Sequence, residues 1–225
     1  SNEGRPLRSA VYKIDAKGRK TKLSAKEGTN RAIFSKSMKY YINTFTNITT
    51  PPVITINDNI GKTLTTLVDN KRLAEKVANL HMPSKEFFTF TTSDGVELNG
   101  WMMKPANFDA NKKYPVIMHQ YSGPGSQRVL DQWNIGSRSD GGMFEAYMAD
   151  HGFISVCVDG RGTGGRGAEF EKCTYMNLGV KEARDQVETA LYLGTLPYVD
   201  AKNIGIWGWS FGGYTTLMSM SEGTP

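Results

Sequence analysis

Cysteine is scarce: the chain holds two, Cys157 and Cys173. Two are too few for a disulfide framework, and they lack the C-x-x-C spacing of a metal site. Cys157 falls inside the apolar run "FISVCVD", where it reads as a small buried residue. Histidine is nearly as rare. His81, His119 and His151 all precede Ser210, and none has a partner at metal-ligand spacing, so neither a metal nor another cofactor is expected. Also missing is any apolar run near the roughly 20 residues that span a bilayer. The opening "SNEGRPLRSA" has no apolar stretch of the kind a signal peptide needs. The charge excess is modest, 27 basic against 22 acidic residues for a net +5. It is scattered, densest in "YKIDAKGRKTKLSAKEG", whereas a nucleic-acid partner would call for one basic face. No nucleic-acid partner is expected.

What remains is a foldable chain of 225 residues, 39% hydrophobic, long for one domain and comfortable for two. The first third carries four β-rich runs, "SAVYKIDA", "KYYINTFTN", "VITINDN" and "TLTTLVDN", with a hairpin turn at Lys17-Gly18. Four such runs predict one antiparallel sheet the size of a propeller blade, which cannot bury both of its faces alone. In "DNKRLAEKVANLHMP", Asp69 or Asn70 can cap a helix whose Leu73, Val77 and Leu80 share a face, and Pro83 stops it. This predicts a connector helix, with residues 1–82 as one domain and 83–225 as the next.

From Glu86 the pattern changes. "EFFTFTTSDGVELNGWMMKP" predicts a hairpin with a type I′ turn at Asp94-Gly95. "YPVIMHQY", "FISVCVDG" and "NIGIWGW" read as strands buried on both faces. Between them, "GGMFEAYMADHG" predicts a helix with Met143, Tyr147 and Met148 inward and Gly152 ending it. "GVKEARDQVETALYLGTLP" predicts another, with Val180, Ala183, Val187, Ala190, Leu191 and Leu193 as its apolar stripe. Alternation of this kind means an α/β parallel sheet preceded by an antiparallel hairpin.

The third strand leads into "WGWSFGGYTT". Gly208-Trp209-Ser210-Phe211-Gly212 is G-x-S-x-G, a pattern that also recurs by accident and takes its weight from placement between strand and helix. There a sharp turn lifts the serine hydroxyl above the sheet, and side chains at the two glycines would collide. Ser210 is the candidate nucleophile. The helix after it points its N-terminus at the reacting oxygens, so the Phe211 N–H is a candidate oxyanion donor. The second donor is expected from the turn after "PVIMHQ", where Tyr121 leads "YSGPGSQ" and offers a phenolic hydroxyl. A rival motif is Gly160-Arg-Gly162-Thr-Gly164-Gly165, formally the dinucleotide pattern G-x-G-x-x-G. No helix opens within its glycines, so it reads as an active-site-side loop running close to other backbone.

"WGWSFGGY", "YSGPGSQ" and "VDGRGTGGRG" together resemble the dipeptidyl peptidase IV branch of the prolyl oligopeptidase family, in its bacterial form. The similarity extends over essentially the whole chain. It implies an α/β-hydrolase fold, partial and without its C-terminal strands, preceded by the last blade of a β-propeller. Further implications are a serine exopeptidase that removes dipeptides with penultimate proline, or less well alanine, and Ser210 as nucleophile. Tyr121 and the Phe211 N–H would form the oxyanion hole, and Trp209 would line the leaving-group side. A tripeptidyl or endopeptidase, or a non-catalytic peptide-binding relative, stays open as the alternative. Homodimerisation and a periplasmic or cell-envelope address follow from the resemblance alone. Where many relatives have tyrosine after the serine, this chain has Phe211, and only its backbone donor is needed.

One departure matters. In α/β-hydrolases the triad runs Ser, Asp, His along the chain, yet only Glu222 among the acids, and no histidine, follows Ser210. The triad Asp and His are expected outside this chain, which reads as a window on a larger enzyme and is expected to be inactive alone.

Overall fold

The structure, a computed structural model, describes residues 1–83, 85–134 and 142–222. These form two compact units. One is Ser1–His81 together with Leu130–Asn134, and the other is 82–129 with the described residues from 142 onward. A single cut at 82/83 therefore misses one point: Leu130–Asn134 cluster with the first unit.

In the first unit, β1 (Tyr12–Ile14) and β2 (Lys20–Lys22) make a small antiparallel hairpin. The Asp15 carboxylate accepts the Lys17 and Arg19 N–H groups, and Gly18 takes the left-handed φ of 77° that the turn requires. The four-stranded antiparallel sheet is β3 (Thr29–Phe34), β4 (Tyr40–Thr46), β5 (Val53–Asp58) and β6 (Thr63–Val68), in chain order. Its first strand is thus "TNRAIF" and not the "SAVYKIDA" run. The earlier run pairs with β2, and Val11 and Leu23 build a separate small core with Tyr41. β3 escapes a periodicity reading because Thr29 and Asn30, both polar, are the buried pair in it.

Helix α1 (Lys71–Asn79) buries none of its residues. Leu73, Val77 and Leu80 do share a face, but it is not covered among the described residues. Asn70 sits in the left-handed region, and its side chain donates to the Pro52 carbonyl, 2.7 Å away, in place of capping the helix. Asp69 accepts the Lys71 N–H at 3.2 Å.

The second unit opens with β7 (Lys85–Thr91) and β8 (Glu97–Met103), an antiparallel hairpin. Its turn is a three-residue loop, closed by Gly95 N–H to Thr92 O and Thr92 N–H to Val96 O, both 2.9 Å. Only Gly95 has positive φ there, which excludes the type I′ geometry that needs two such residues. Then follow β9 (Tyr114–His119), α2 (Met143–Asp150), β10 (Ile154–Asp159), α3 (Ala168–Lys172), α4 (Val180–Gly194), β11 (Val199–Trp207) and α5 (Phe211–Glu222). The sheet order is β11-β9-β10-β8-β7, with β9, β10 and β11 parallel and β8 antiparallel to β10. Leu98, Met102, Val116, Met118, Ile154 and Val156 are central to its core, a burial that dominates the stabilisation at about 25 cal/mol per Å² of apolar surface.

Three burial expectations fail. In α2, Met143 and Tyr147 are 57% and 58% exposed, and Glu145, Ala146 and Ala149 face inward. In α4 the buried side is Glu182, Ala183, Asp185, Gln186, Thr189 and Leu193, whereas Val180 and Leu191 are exposed. Strand β11 is the sheet's edge among the described residues, and its middle is exposed rather than buried on both faces.

Candidate active site

Strand β11 ends at Trp207 and α5 starts at Phe211, so Gly208, Trp209 and Ser210 make the whole connection. Ser210 has φ 56°, a left-handed value that costs a non-glycine residue about 1–2 kcal/mol. Its side chain is exposed and, among the described residues, makes no hydrogen bond. The glycines are explained by one neighbour. A Cβ on Gly208 would stand 2.5 Å from the Gln120 carbonyl oxygen and 2.7 Å from that of Gly212, and a Cβ on Gly212 would meet the same Gln120 oxygen at 2.5 Å.

Gln120 is the residue that sequence reasoning missed. It follows β9, donates its N–H to Trp207 O at 3.2 Å, and sends Nε2 to Gly212 O at 2.6 Å and Thr216 Oγ1 at 3.0 Å. The strand end beside the elbow is thereby pinned to the first turn of α5. Nothing in the sequence marks Gln120 except that it precedes Tyr121.

Tyr121 is half-buried beside that anchor, its ring centroid 6.2 Å from that of Phe211. A Cβ on Gly123 would stand 2.4 Å from Tyr121 Cε1, so the phenol ring lies on the Gly123 backbone. Ser122, with φ 57°, turns inward and accepts the Gln186 amide at 3.2 Å. The Phe211 N–H has no acceptor among the described residues, the usual state of a first-turn amide. Gly212 N–H bonds to Trp209 O at 2.9 Å. Trp209 itself is 81% exposed.

The glycine-rich loop after β10 supports the Tyr121 loop. Gly125 N–H donates to Gly162 O at 2.9 Å and Gly164 N–H to Ser126 O at 2.8 Å. A Cβ on Gly164 would stand 2.8 Å from Gly125 O: other backbone lies where a pyrophosphate would have to approach. Asp159 ends β10 buried, and its carboxylate accepts Arg128 N–H at 3.0 Å from each oxygen and Val129 N–H at 2.8 Å. Burial outweighs those bonds and pushes its pKa up to about 6. Arg161 is clamped between Asp185, 2.5 Å from its Nη2, and Asp94, 2.7 Å from its Nη1. The Thr92 hydroxyl and Arg161 hold Asp94 down at about 2.

No histidine is placed as the base. His119 points away from the elbow helix: its Nδ1 lies 2.9 Å from buried Glu145 and its ring stacks on Trp207 at 4.3 Å. His151 caps α2, with Nδ1 2.8 Å from Tyr147 O, and His81 belongs to the other unit. Among the described residues no three His, Cys, Asp or Glu side chains are grouped to hold a metal ion, and no helix is long and apolar enough to cross a membrane.

Comparison with known proteins gives these features a family. The prolyl oligopeptidase family model matches residues 143–225, and the model for the dipeptidyl peptidase IV N-terminal region matches residues 1–52. A Sclerotinia sclerotiorum protein named as a dipeptidyl-aminopeptidase B is 37% identical over 99% of this chain, which covers 24% of that relative. An Aspergillus flavus protein named as a dipeptidyl peptidase 4 is 36% identical over 82% of the chain, again 24% of the relative. The crystal structure of Porphyromonas gingivalis dipeptidyl peptidase 4 superposes with a TM-score of 0.91 and 53% identity, over 97% of this chain and 30% of that one. The chain thus spans about a quarter of the length of the curated relatives it matches. The four-stranded unit is a propeller blade and the second unit a partial α/β-hydrolase fold. The chain belongs to the prolyl oligopeptidase family, on its dipeptidyl peptidase IV branch.

Proposed function

We propose that the protein carrying this chain is a serine exopeptidase that releases N-terminal dipeptides with penultimate proline or alanine. The observation that supports it best is Ser210: an exposed hydroxyl at φ 56° on a glycine-flanked turn, next to a Phe211 N–H that has no acceptor among the described residues. Ser210 Oγ adds to the carbonyl carbon of the second residue. The oxyanion takes hydrogen bonds from the Phe211 N–H and the Tyr121 hydroxyl, donors that contribute most when charge develops. The C–N bond breaks as the serine proton passes through a histidine base to the departing amine, and water then cleaves the ester. Exposed Trp209 supplies an apolar wall on the leaving-group side. Chain order in this fold puts the base and its orienting carboxylate after Ser210. The dipeptidyl peptidase names of the relatives support the release of dipeptides.

The test compares hydrolysis of a Gly-Pro p-nitroanilide, and fluorophosphonate labelling, in the full-length enzyme and its Ser210→Ala variant. Both signals should vanish with the hydroxyl. Turnover that survives in Ser210→Ala would refute the nucleophile. Labelling of Ser210 without dipeptide release would point to another specificity, and no adduct at all would favour a binding protein.

A further inference from the structure

Arg128 takes no part in the acyl transfer just described, yet the structure builds a seat for it. Its guanidinium carbon lies 4.8 Å from the centroid of the Tyr121 ring, within cation–π range. The backbone under it is fixed: the Arg128 N–H is shared between both oxygens of buried Asp159, and the next N–H bonds to the same carboxylate. Earlier in the loop, Ser126 Oγ donates to Gly123 O at 2.6 Å, and Gly164 N–H holds Ser126 O. The backbone part of the entropy cost of placing this residue is therefore met by the loop rather than by the contact itself.

We propose that Arg128 is a positioning residue that keeps the Tyr121 phenol in place and strengthens its hydroxyl as an oxyanion donor. This rests on the reading of Tyr121 as that donor. When the tetrahedral intermediate forms, the phenol O–H shares its proton more fully with the oxyanion, and negative charge builds on the ring. A cation over the ring face favours that build-up. The interaction is stronger in the transition state than with bound substrate, so it acts on kcat rather than on KM. A group that only recognised substrate would act on both states alike.

The experiment uses the full-length enzyme and four variants: Arg128→Gln, Arg128→Lys, Tyr121→Phe, and Arg128→Gln with Tyr121→Phe. Rates on the Gly-Pro p-nitroanilide are normalised to fluorophosphonate-reactive sites. Tyr121→Phe should lower kcat by about 100-fold or more. Arg128→Gln should lower kcat by about 10-fold with KM changed less than about twofold, and Arg128→Lys should recover most of that loss. In the double variant the Arg128→Gln loss should disappear, because its target is gone. If the loss persists on the Tyr121→Phe background, falls on KM, or is not recovered by lysine, the proposal is overturned while the oxyanion hole stands. An unchanged kcat in Tyr121→Phe removes the oxyanion reading, and this proposal with it.

Discussion

Asp159 shows how a single carboxylate can be both anchor and liability. It accepts backbone N–H bonds from Arg128 and Val129, yet burial raises its pKa from 3.8 to about 6. With the folded value above the unfolded one, the protonated group favours the fold. Its contribution is full below about pH 4 and is lost as pH rises through about 6. For a fully buried group, a rise of this size corresponds to about 3 kcal/mol. Asp159→Asn removes that slope. Its unfolding free energy relative to the parent should rise by about that amount between pH 4 and pH 7, read from urea melts at several pH values. A difference that stays flat with pH would mean the carboxylate ionises as it does in water. At this scale the sequence spoke unevenly. Ser210 and its two glycines are legible because steric need restricts the residue types. Gln120 and Asp159 act through backbone groups that only the folded chain brings near them.

At the scale of elements, glycines separate two kinds of requirement. Gly152 follows α2 with φ 84°, and the N–H groups of Gly152 and Phe153 close back on Ala149 O and Met148 O, the Schellman pattern. A Cβ there meets nothing within 4 Å, so Gly152→Ala should cost only the left-handed penalty, about 1 kcal/mol. Gly212 has the reverse problem, ordinary helical backbone with a Cβ 2.5 Å from the Gln120 carbonyl. Gly212→Ala must push the elbow off β9, and it should cut fluorophosphonate labelling of Ser210 by about 10-fold or more while Gly152→Ala leaves labelling unchanged. Equal labelling in both variants would show that the close approach at Gly212 has no bearing on the serine. Glycine positions were readable from the sequence, but the buried faces of α2 and α4 were not. Hydrophobic periodicity assumes that apolar side chains face inward. Here Glu145 lies against His119, Asp185 holds Arg161, Gln186 holds Ser122, and Ser219 of the facing helix α5 donates to Ala183 O at 3.4 Å. Polar side chains occupy much of the inside, and apolar ones such as Val180 and Leu191 are left out.

For the molecule as a whole, the instructive residues are Leu130–Asn134, which the contact pattern assigns to the blade although about fifty residues of the other unit precede them. The sequence "LDQWN" has no period to announce this, and a boundary drawn along the chain assigns residues by order alone. Hydrogen bonds make the assignment concrete. Asp131 N–H donates to Leu7 O at 2.8 Å, and its carbonyl accepts the Thr29 hydroxyl at 2.9 Å. Its buried carboxylate accepts Arg8 Nε at 2.8 Å and the Ile48 N–H at 3.1 Å. Trp133 N–H reaches Thr46 Oγ1 at 3.0 Å. Removing that carboxylate strips the acceptor from a backbone amide and from a cation, whereas an amide side chain keeps one oxygen. A donor left without its acceptor costs about 1–3 kcal/mol when buried. The Ile48 amide is half-buried and the Arg8 side chain is 45% exposed, so the loss falls mainly on the amide and toward the low end of that range. Asp131→Ala should therefore speed hydrogen exchange at Ile48 by about 10-fold or more, with Asp131→Asn in between, while the amides of β10 keep their protection. Should Ile48 exchange at the parental rate in Asp131→Ala, the segment would be merely passing by, and the blade would be complete without it.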